Sequence, residues 1–257
     1  MFDSGVGGLS VLRALRQLLP QAELLYAADS AHAPYGEREP DFILTRCESL
    51  TAQLKGAGAR MIVVACNTAT AVAIETLRRA HPDLILVGVE PGLKPAIALS
   101  RNRRIGVMAT QATLTSAKFL RLIQAHAEGI ELLLQPCPGL AHALETGDAD
   151  GAHVGELIAR HTAPLRDAGV DTVVLGCTHY PFAAHRIAEA LGSHVMLVDT
   201  SQAVARQVQR LTSTPTANAA ATPARVSLWT SGDPAQLGRI AARWLDFEVS
   251  VQHLPTN

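Results

Sequence analysis

Two cysteines stand at the same place in two similar stretches of this chain. Gly58-Ala59-Arg60-Met61-Ile62-Val63-Val64-Ala65-Cys66-Asn67-Thr68 aligns without a gap on Gly169-Val170-Asp171-Thr172-Val173-Val174-Leu175-Gly176-Cys177-Thr178-His179. Each glycine precedes its cysteine by eight residues, an apolar β-branched run leads up to the cysteine, and a polar pair follows it. A thiol at the end of a buried strand and the start of a helix feels the positive end of the helix dipole. That setting lowers a thiol pKa from its free value of about 8.5 and favours thiolate. One thiolate and one thiol on opposite faces of a carbon can remove a proton from one face and return one to the other. Such a pair suits a reaction whose product is the mirror image of its substrate. The competing reading of a buried cysteine is packing, and position alone leaves both open. Cys47, inside a helical stretch, and Cys137, at the start of a Cys-Pro loop, read as packing residues.

Polar groups cluster around the two thiols in sequence. Asn67-Thr68 and Thr178-His179 follow them directly. Their side chains and the first N–H groups of a helix could hold a carboxylate or an ammonium group; helix capping by Asn and Thr is the ordinary alternative. His179, two residues past Cys177, could tune or relay its proton. Asp3-Ser4 stands before Gly5-Val6-Gly7-Gly8, a pattern that fails the dinucleotide-binding GxGxxG and reads as a tight strand-to-helix turn. Ala33-Pro34-Tyr35-Gly36 reads as a turn that could close over a site, or as a simple Pro/Gly loop.

The elements that must carry these residues alternate along the chain. Strands are expected at 24–28, 61–65, 85–89, 104–108, 131–134, 172–176, 195–198 and 226–230. Helical patterns lie at 9–19, 41–57, 69–80, 115–127, 151–168, 181–191 and 201–211, with a final helix after the last strand. Phe2-Asp3 reads as the end of a first strand, either a very short one or one that starts upstream. This alternation predicts βαβ units and mostly parallel sheets, whose ligands bind outside the carboxyl ends of the strands. The repeated Gly-to-Cys stretch is followed in both halves by a helix and another strand, ending at Glu90 and Asp199. Earlier strands end at Asp3 and Thr110. The pattern is an internal duplication. It predicts an α/β fold of two domains related by a pseudo-twofold, 1–93 plus 205–257 and 94–204, with the two thiols facing each other across a cleft. The Thr-, Ala- and Pro-rich stretch 212–224 reads as a surface loop or linker.

Composition narrows the classes. Of 257 residues 48% are hydrophobic but only ten are aromatic, so the core is aliphatic, as buried parallel strands require. A formal net charge of −1 gives no reason to expect nucleic acid or a membrane surface as partner. No apolar run approaches the ~18 residues of a membrane span, and the start shows no basic segment followed by an apolar one. A cytoplasmic location is the default. Four cysteines without a CxxC pair argue against a disulfide framework or a zinc ribbon.

Taken together, Asp3-Ser4-Gly5-Val6-Gly7-Gly8-Leu9-Ser10, Pro34-Tyr35-Gly36, Ala65-Cys66-Asn67-Thr68-Ala69, Leu175-Gly176-Cys177-Thr178-His179-Tyr180-Pro181 and Ser231-Gly232-Asp233-Pro234 resemble, in order and spacing, the bacterial glutamate racemases of the Asp/Glu racemase superfamily. The resemblance covers nearly the whole chain. It implies interconversion of L- and D-glutamate without pyridoxal phosphate, metal or nucleotide, to supply D-glutamate for peptidoglycan and so for the cell wall. It implies that Cys66 acts on D-glutamate and Cys177 on L-glutamate. Asp3 would assist Cys66; His179 and Glu145 would assist Cys177. Asp3, Ser4, Tyr35, Gly36, Asn67, Thr68, Thr178 and His179 would bind glutamate. Some members of the family pair as homodimers, and some need a peptidoglycan precursor as activator. The only lysines, Lys55, Lys94 and Lys118, lie away from the expected strand ends, as a mechanism without a Schiff base would allow.

Three other readings remain at this point. An aspartate or broader amino-acid racemase differs only in a few pocket residues. A two-lobed binding module without catalysis has no use for a thiol at both strand ends. A thiol redox or metal protein using Cys66, Cys177 and His179 predicts a disulfide or bound metal.

Overall fold

The computed structural model describes residues 1–146, 148–212 and 224–255. The chain divides into two compact units, Met1–Val89 with Ser201–Asn257, and Glu90–Thr200. The first opens with β1 (Phe2–Asp3), α1 (Leu9–Leu18), β2 (Leu24–Ala28), α2 (Pro40–Gly56), β3 (Met61–Val64), α3 (Asn67–Ala80) and β4 (Ile85–Gly88). The second contains α4 (Leu93–Leu99), β5 (Arg104–Ala109), α5 (Gln111–Leu114), α6 (Ala117–His126), β6 (Glu131–Pro136), α7 (Leu140–Glu145), α8 (Ala152–Asp167), β7 (Thr172–Leu175), α9 (Ala184–Leu191) and β8 (Met196–Val198). The chain then returns to the first unit with α10 (Ser201–Thr212), β9 (Val226–Thr230), α11 (Pro234–Trp244) and β10 (Ser250–His253).

Among the described residues every strand pairing is parallel. The first sheet runs β10-β9-β2-β1-β3-β4 and the second β6-β5-β7-β8. Without its two added strands the first sheet has the order of the second. The sequence repeat is therefore a repeat of topology. In each sheet the order reverses beside the first strand of the unit, where a crevice opens at the carboxyl ends. The residues at that reversal are Asp3 and Cys66 in one unit, Thr110 and Cys177 in the other.

The eight-residue interval has a physical cause. Gly58 follows α2 with φ of 91° and Gly169 follows α8 with φ of 69°, both in the left-handed region that glycine enters without strain. At the first, Gly58 N–H donates to Lys55 O at 2.9 Å and Ala59 N–H to Leu54 O at 3.0 Å. At the second, Gly169 N–H donates to Arg166 O at 2.9 Å and Val170 N–H to Leu165 O at 3.3 Å. This is the same Schellman closure twice. It stops the helix and aims the next residues into the sheet. Helix α2 buries Ile43, Cys47, Leu50, Thr51 and Leu54, a stripe at helical spacing that packs in one core with Phe2, Ile62, Val64 and Leu77.

The structure departs from the sequence reading in places. The change of unit falls after Val89 and after Thr200, a little before the expected 93 and 204, because α4 packs on β7 and β8 while α10 packs on α1. The helix expected at 181–191 is a 3₁₀ turn, Tyr180–Ala183, before α9 begins at Ala184. Helices α4, α5 and α7 and strand β10 were not anticipated. Of the expected loop 212–224, residues 213–223 lie outside the described residues.

Candidate active site

The candidate groups of the first unit lie at the ends of β1 and β3. The chain turns from β1 into α1 through Gly8, where a β-carbon would lie 2.8 Å from the Tyr26 ring and 3.0 Å from Asp3 Cβ. The Tyr26 hydroxyl donates to Gly5 O and fastens this turn. Asp3 is fully buried, and its Oδ1 accepts from Ser4 Oγ at 2.9 Å and Gly5 N–H at 3.2 Å. Ser4 Oγ in turn lies 3.8 Å from Cys66 Sγ. Cys66 has extended backbone and caps α3, its sulfur accepting Ala69 N–H at 3.4 Å. An N–H donor and the positive helix end both stabilise charge on that sulfur. Thr70 Oγ1 donates to Val64 O and accepts Val89 N–H, each at 3.1 Å, so the ends of β3 and β4 are tied behind the thiol.

Asn67 and Thr68 open α3 and are buried. Asn67 Oδ1 is buried without a hydrogen-bond partner. A buried acceptor left unpaired costs roughly 1–3 kcal/mol, and an arriving ammonium or hydroxyl donor would relieve it.

The segment carrying Tyr35 and Gly36 follows β2. Tyr35 is fully buried in the same core cluster as Cys66. Its phenol donates to Asp29 Oδ2 at 2.5 Å, so what this segment can offer a ligand is its main chain. Asp29 is also fully buried. Arg46 donates to it through two nitrogens, Nε to Oδ2 and Nη2 to Oδ1, each at 2.9 Å, and His32 Nδ1 lies 2.9 Å from Oδ1. Burial opposes ionisation of Asp29, but these hydrogen bonds outweigh it and hold the carboxyl below its usual range. Burial, with the Asp29 charge second, pushes the Tyr35 phenol up. Sequence reasoning passed over Asp29 and Arg46. Asp29 directly follows a strand on the carboxyl side of the sheet, the signal that did single out Asp3 and Cys66.

The second unit is built differently around the corresponding thiol. Gly176 lets β7 close on β5: a β-carbon there would lie 2.9 Å from both Ala109 Cβ and Met108 O. Cys177 does not cap a helix. Tyr180 N–H donates to Cys177 O at 3.1 Å, closing a turn that runs into the Tyr180–Ala183 segment. The helix-dipole argument therefore applies to Cys66 and not to Cys177. What Cys177 has is histidine: its Sγ lies 3.7 Å from His179 Nδ1, and His179 Nε2 lies 2.6 Å from Glu145 Oε2 at the end of α7. Burial disfavours the imidazolium, but hydrogen bonds to Cys177 and Glu145 outweigh it and raise His179 well above the usual histidine range. Thr178 is buried between Cys177 and His179 in sequence. Thus Cys177, His179 and Glu145 form one connected line.

The two remaining cysteines behave as buried neutral thiols. Burial pushes Cys137 up to about 12 and Cys47 well above its ordinary value. All four cysteines are free. Among the described residues no cluster of three or more His, Cys, Asp or Glu could hold a metal ion, and no helix is long and apolar enough to cross a membrane.

Comparison with known proteins finds a racemase family. The sequence profile of the Asp/Glu/Hydantoin racemase family matches residues 9–208. A glutamate racemase of Pseudomonas paraeruginosa is 47% identical over 240 residues, 93% of this chain and 91% of that protein. One from Herpetosiphon aurantiacus is 47% identical over 241 residues, 93% and 94% of the two chains. Among solved structures, a glutamate racemase isoform of Bacillus anthracis superposes with a TM-score of 0.88 at 29% identity, covering 99% of this chain and 96% of that one. The Escherichia coli glutamate racemase in complex with L-glutamate and the activator UDP-MurNAc-ala gives 0.86 at 31% identity, with 99% and 96% coverage.

Proposed function

Because the chain belongs to the Asp/Glu/Hydantoin racemase family and matches its glutamate racemases over nearly its whole length, we propose that it interconverts L- and D-glutamate by a two-thiol proton transfer. The product D-glutamate supplies peptidoglycan synthesis. The observation that carries the mechanism is the strand-end cysteine that recurs in each unit, each with its own buried polar helpers.

In this reading the Cys177 thiolate takes the α-proton of L-glutamate and the Cys66 thiol delivers one to the opposite face. D-glutamate runs the same steps in reverse. The α-hydrogen is far too weakly acidic for a thiolate in water, so charge gathering on the α-carboxylate must be met by preorganised donors. Asn67, Thr68, Thr178 and the main chain of Ser4, Tyr35 and Gly36 supply donors of that kind. Asn67 Oδ1, buried without a partner, accepts from the α-ammonium in this reading. Protonated His179, backed by Glu145, stabilises the Cys177 thiolate by donating through Nδ1. Asp3 works through Ser4 on Cys66. No step calls for pyridoxal phosphate, metal or nucleotide.

The test is isotope incorporation in D2O with L- or D-glutamate and no added cofactor. The expected product of opposite hand carries deuterium at Cα, while unconverted substrate early in the reaction keeps hydrogen. Retention of hydrogen in the product would rule out the two-thiol route. The reading extends to a cytoplasmic setting, a homodimer, and activation by a UDP-linked peptidoglycan precursor such as the one bound to the Escherichia coli relative; rate measurements with and without that compound decide the last point.

A further inference from the structure

We propose that Asp29 and Arg46 are positioning residues for substrate binding: a charged clasp that holds the main chain of Tyr35 and Gly36 in place. The proposal rests on the racemase reading above for what that segment binds.

The observations converge on one carboxylate. Asp29 directly follows β2 and is fully buried, and its own N–H donates to Asp3 O at 3.0 Å. From there its side chain bonds to groups on other elements, Ser231 among them. Arg46 on α2 grips both oxygens, Tyr35 donates to Oδ2, and His32 meets Oδ1. A further anchor of the segment is Ser231 after β9, whose Oγ accepts Ala31 N–H at 3.1 Å and whose N–H donates to Ala28 O at 3.1 Å. Residues 30–37 are two short 3₁₀ turns, Ser30–His32 and Tyr35–Glu37, with no sheet ladder of their own. These side-chain bonds, together with the burial of the Tyr35 ring in the core, hold them in place.

The chemistry of the clasp fits a positioning task better than a stabilising one. A buried ion pair adds little stability over a well-packed apolar pair. A bidentate guanidinium–carboxylate contact fixes a plane and a direction. That is what a segment needs if it presents main-chain groups to a ligand. The Tyr35 phenol is spent on Asp29, so the segment's contact with substrate falls to its backbone. Small displacements of such donors weaken binding steeply.

The test combines amide hydrogen exchange of residues 30–38, measured without substrate, with KM and kcat in both directions. Arg46→Met should speed exchange in 30–38 while leaving the strands β1 and β3 protected. It should raise KM about tenfold or more in both directions, with kcat within about threefold. Arg46→Lys should recover part of both effects, and Tyr35→Phe should give a smaller shift of the same kind. If Arg46→Met leaves an unpaired charge and does not fold, Asp29→Asn/Arg46→Met removes both charges and carries the same test. Unchanged exchange in 30–38, unchanged KM, or a loss confined to kcat would each overturn the proposal. If the wild-type protein does not racemise glutamate, the racemase reading fails by itself, and the exchange data still decide whether the pair positions the segment.

Discussion

His179 stands between an acid and a thiol: its Nε2 is 2.6 Å from Glu145 Oε2, and its Nδ1 is 3.7 Å from Cys177 Sγ. His179 is buried and Glu145 nearly so. Glu145→Gln removes the anion that helps keep the imidazolium. The raised His179 pKa contributes stability that is complete below the unfolded value of about 6.5 and is lost as pH rises through the folded value. The stability gap between wild type and Glu145→Gln should therefore be largest below about pH 6.5 and should shrink in alkali. Urea unfolding across that range reads it. A gap that grows with pH would show that His179 is not protonated in the fold.

The same variant should slow proton removal from L-glutamate. Enantiomers have equal free energies, so kcat/KM must fall equally in both directions. The asymmetry must show elsewhere. The primary isotope effect with L-[2-²H]glutamate should rise more than that with the D isotopomer, because cleavage at Cys177 becomes limiting. Equal changes for both isotopomers would place Glu145 outside the Cys177 step.

Cys66→Ala and Cys177→Ala should each lower racemisation by at least about 10³-fold with circular dichroism unchanged, since in the two-thiol reading each deletes an acid/base group. Cys47→Ala and Cys137→Ala should leave the rate within a few-fold and cost about 1–2 kcal/mol of stability through lost packing. Wild-type activity in Cys177→Ala would end the two-thiol reading.

Asn67→Ala separates binding from stability. Its Oδ1 is buried without a partner, so deleting it forfeits no internal hydrogen bond through that atom. KM should rise by roughly tenfold while the unfolding free energy from urea titration stays within about 0.5 kcal/mol of wild type. A large loss of stability with KM unchanged would make Asn67 a structural residue.

Glycine substitutions should divide in the same way. Gly58→Ala and Gly169→Ala force a β-carbon into the left-handed region and should each cost about 1 kcal/mol with activity retained. Gly176→Ala presses on Met108 O and Ala109 Cβ at 2.9 Å. It should cost roughly 1–3 kcal/mol and lower activity further, because the strand that moves ends at Cys177. Thermal melts and rates measured on the three variants check the division.

What could be read from sequence was what local rules govern. The repeat from Gly58 to Cys66 and from Gly169 to Cys177 was legible because a helix stop, a buried strand and a thiol follow one another at fixed intervals. The Glu145–His179 contact spans 34 residues of chain, and no local pattern encodes it; only family resemblance pointed to Glu145. Asp29 and Arg46 were missed because an aspartate before a turn and an arginine on a helix are ordinary at the surface. Here a partner 17 residues away makes burial of the charge tolerable. The turn after Cys177 was read as helix because Pro181 is acceptable in a first helical turn. Strand β10 escaped because Ser250-Val251-Gln252-His253 carries a single apolar residue on a sheet edge.

The left-handed glycines at 58 and 169 also set a ruler for the gene. Each starts a count of eight residues that ends on a thiol, through a strand whose side chains alternate from face to face. A one-residue insertion or deletion within either interval would turn every following side chain to the other face of its sheet, and with it the sulfur. Length variation in descendants of this sequence should therefore collect in connections that lie outside 58–66 and 169–177, and substitutions, rather than changes of length, should be the only variation those two intervals tolerate.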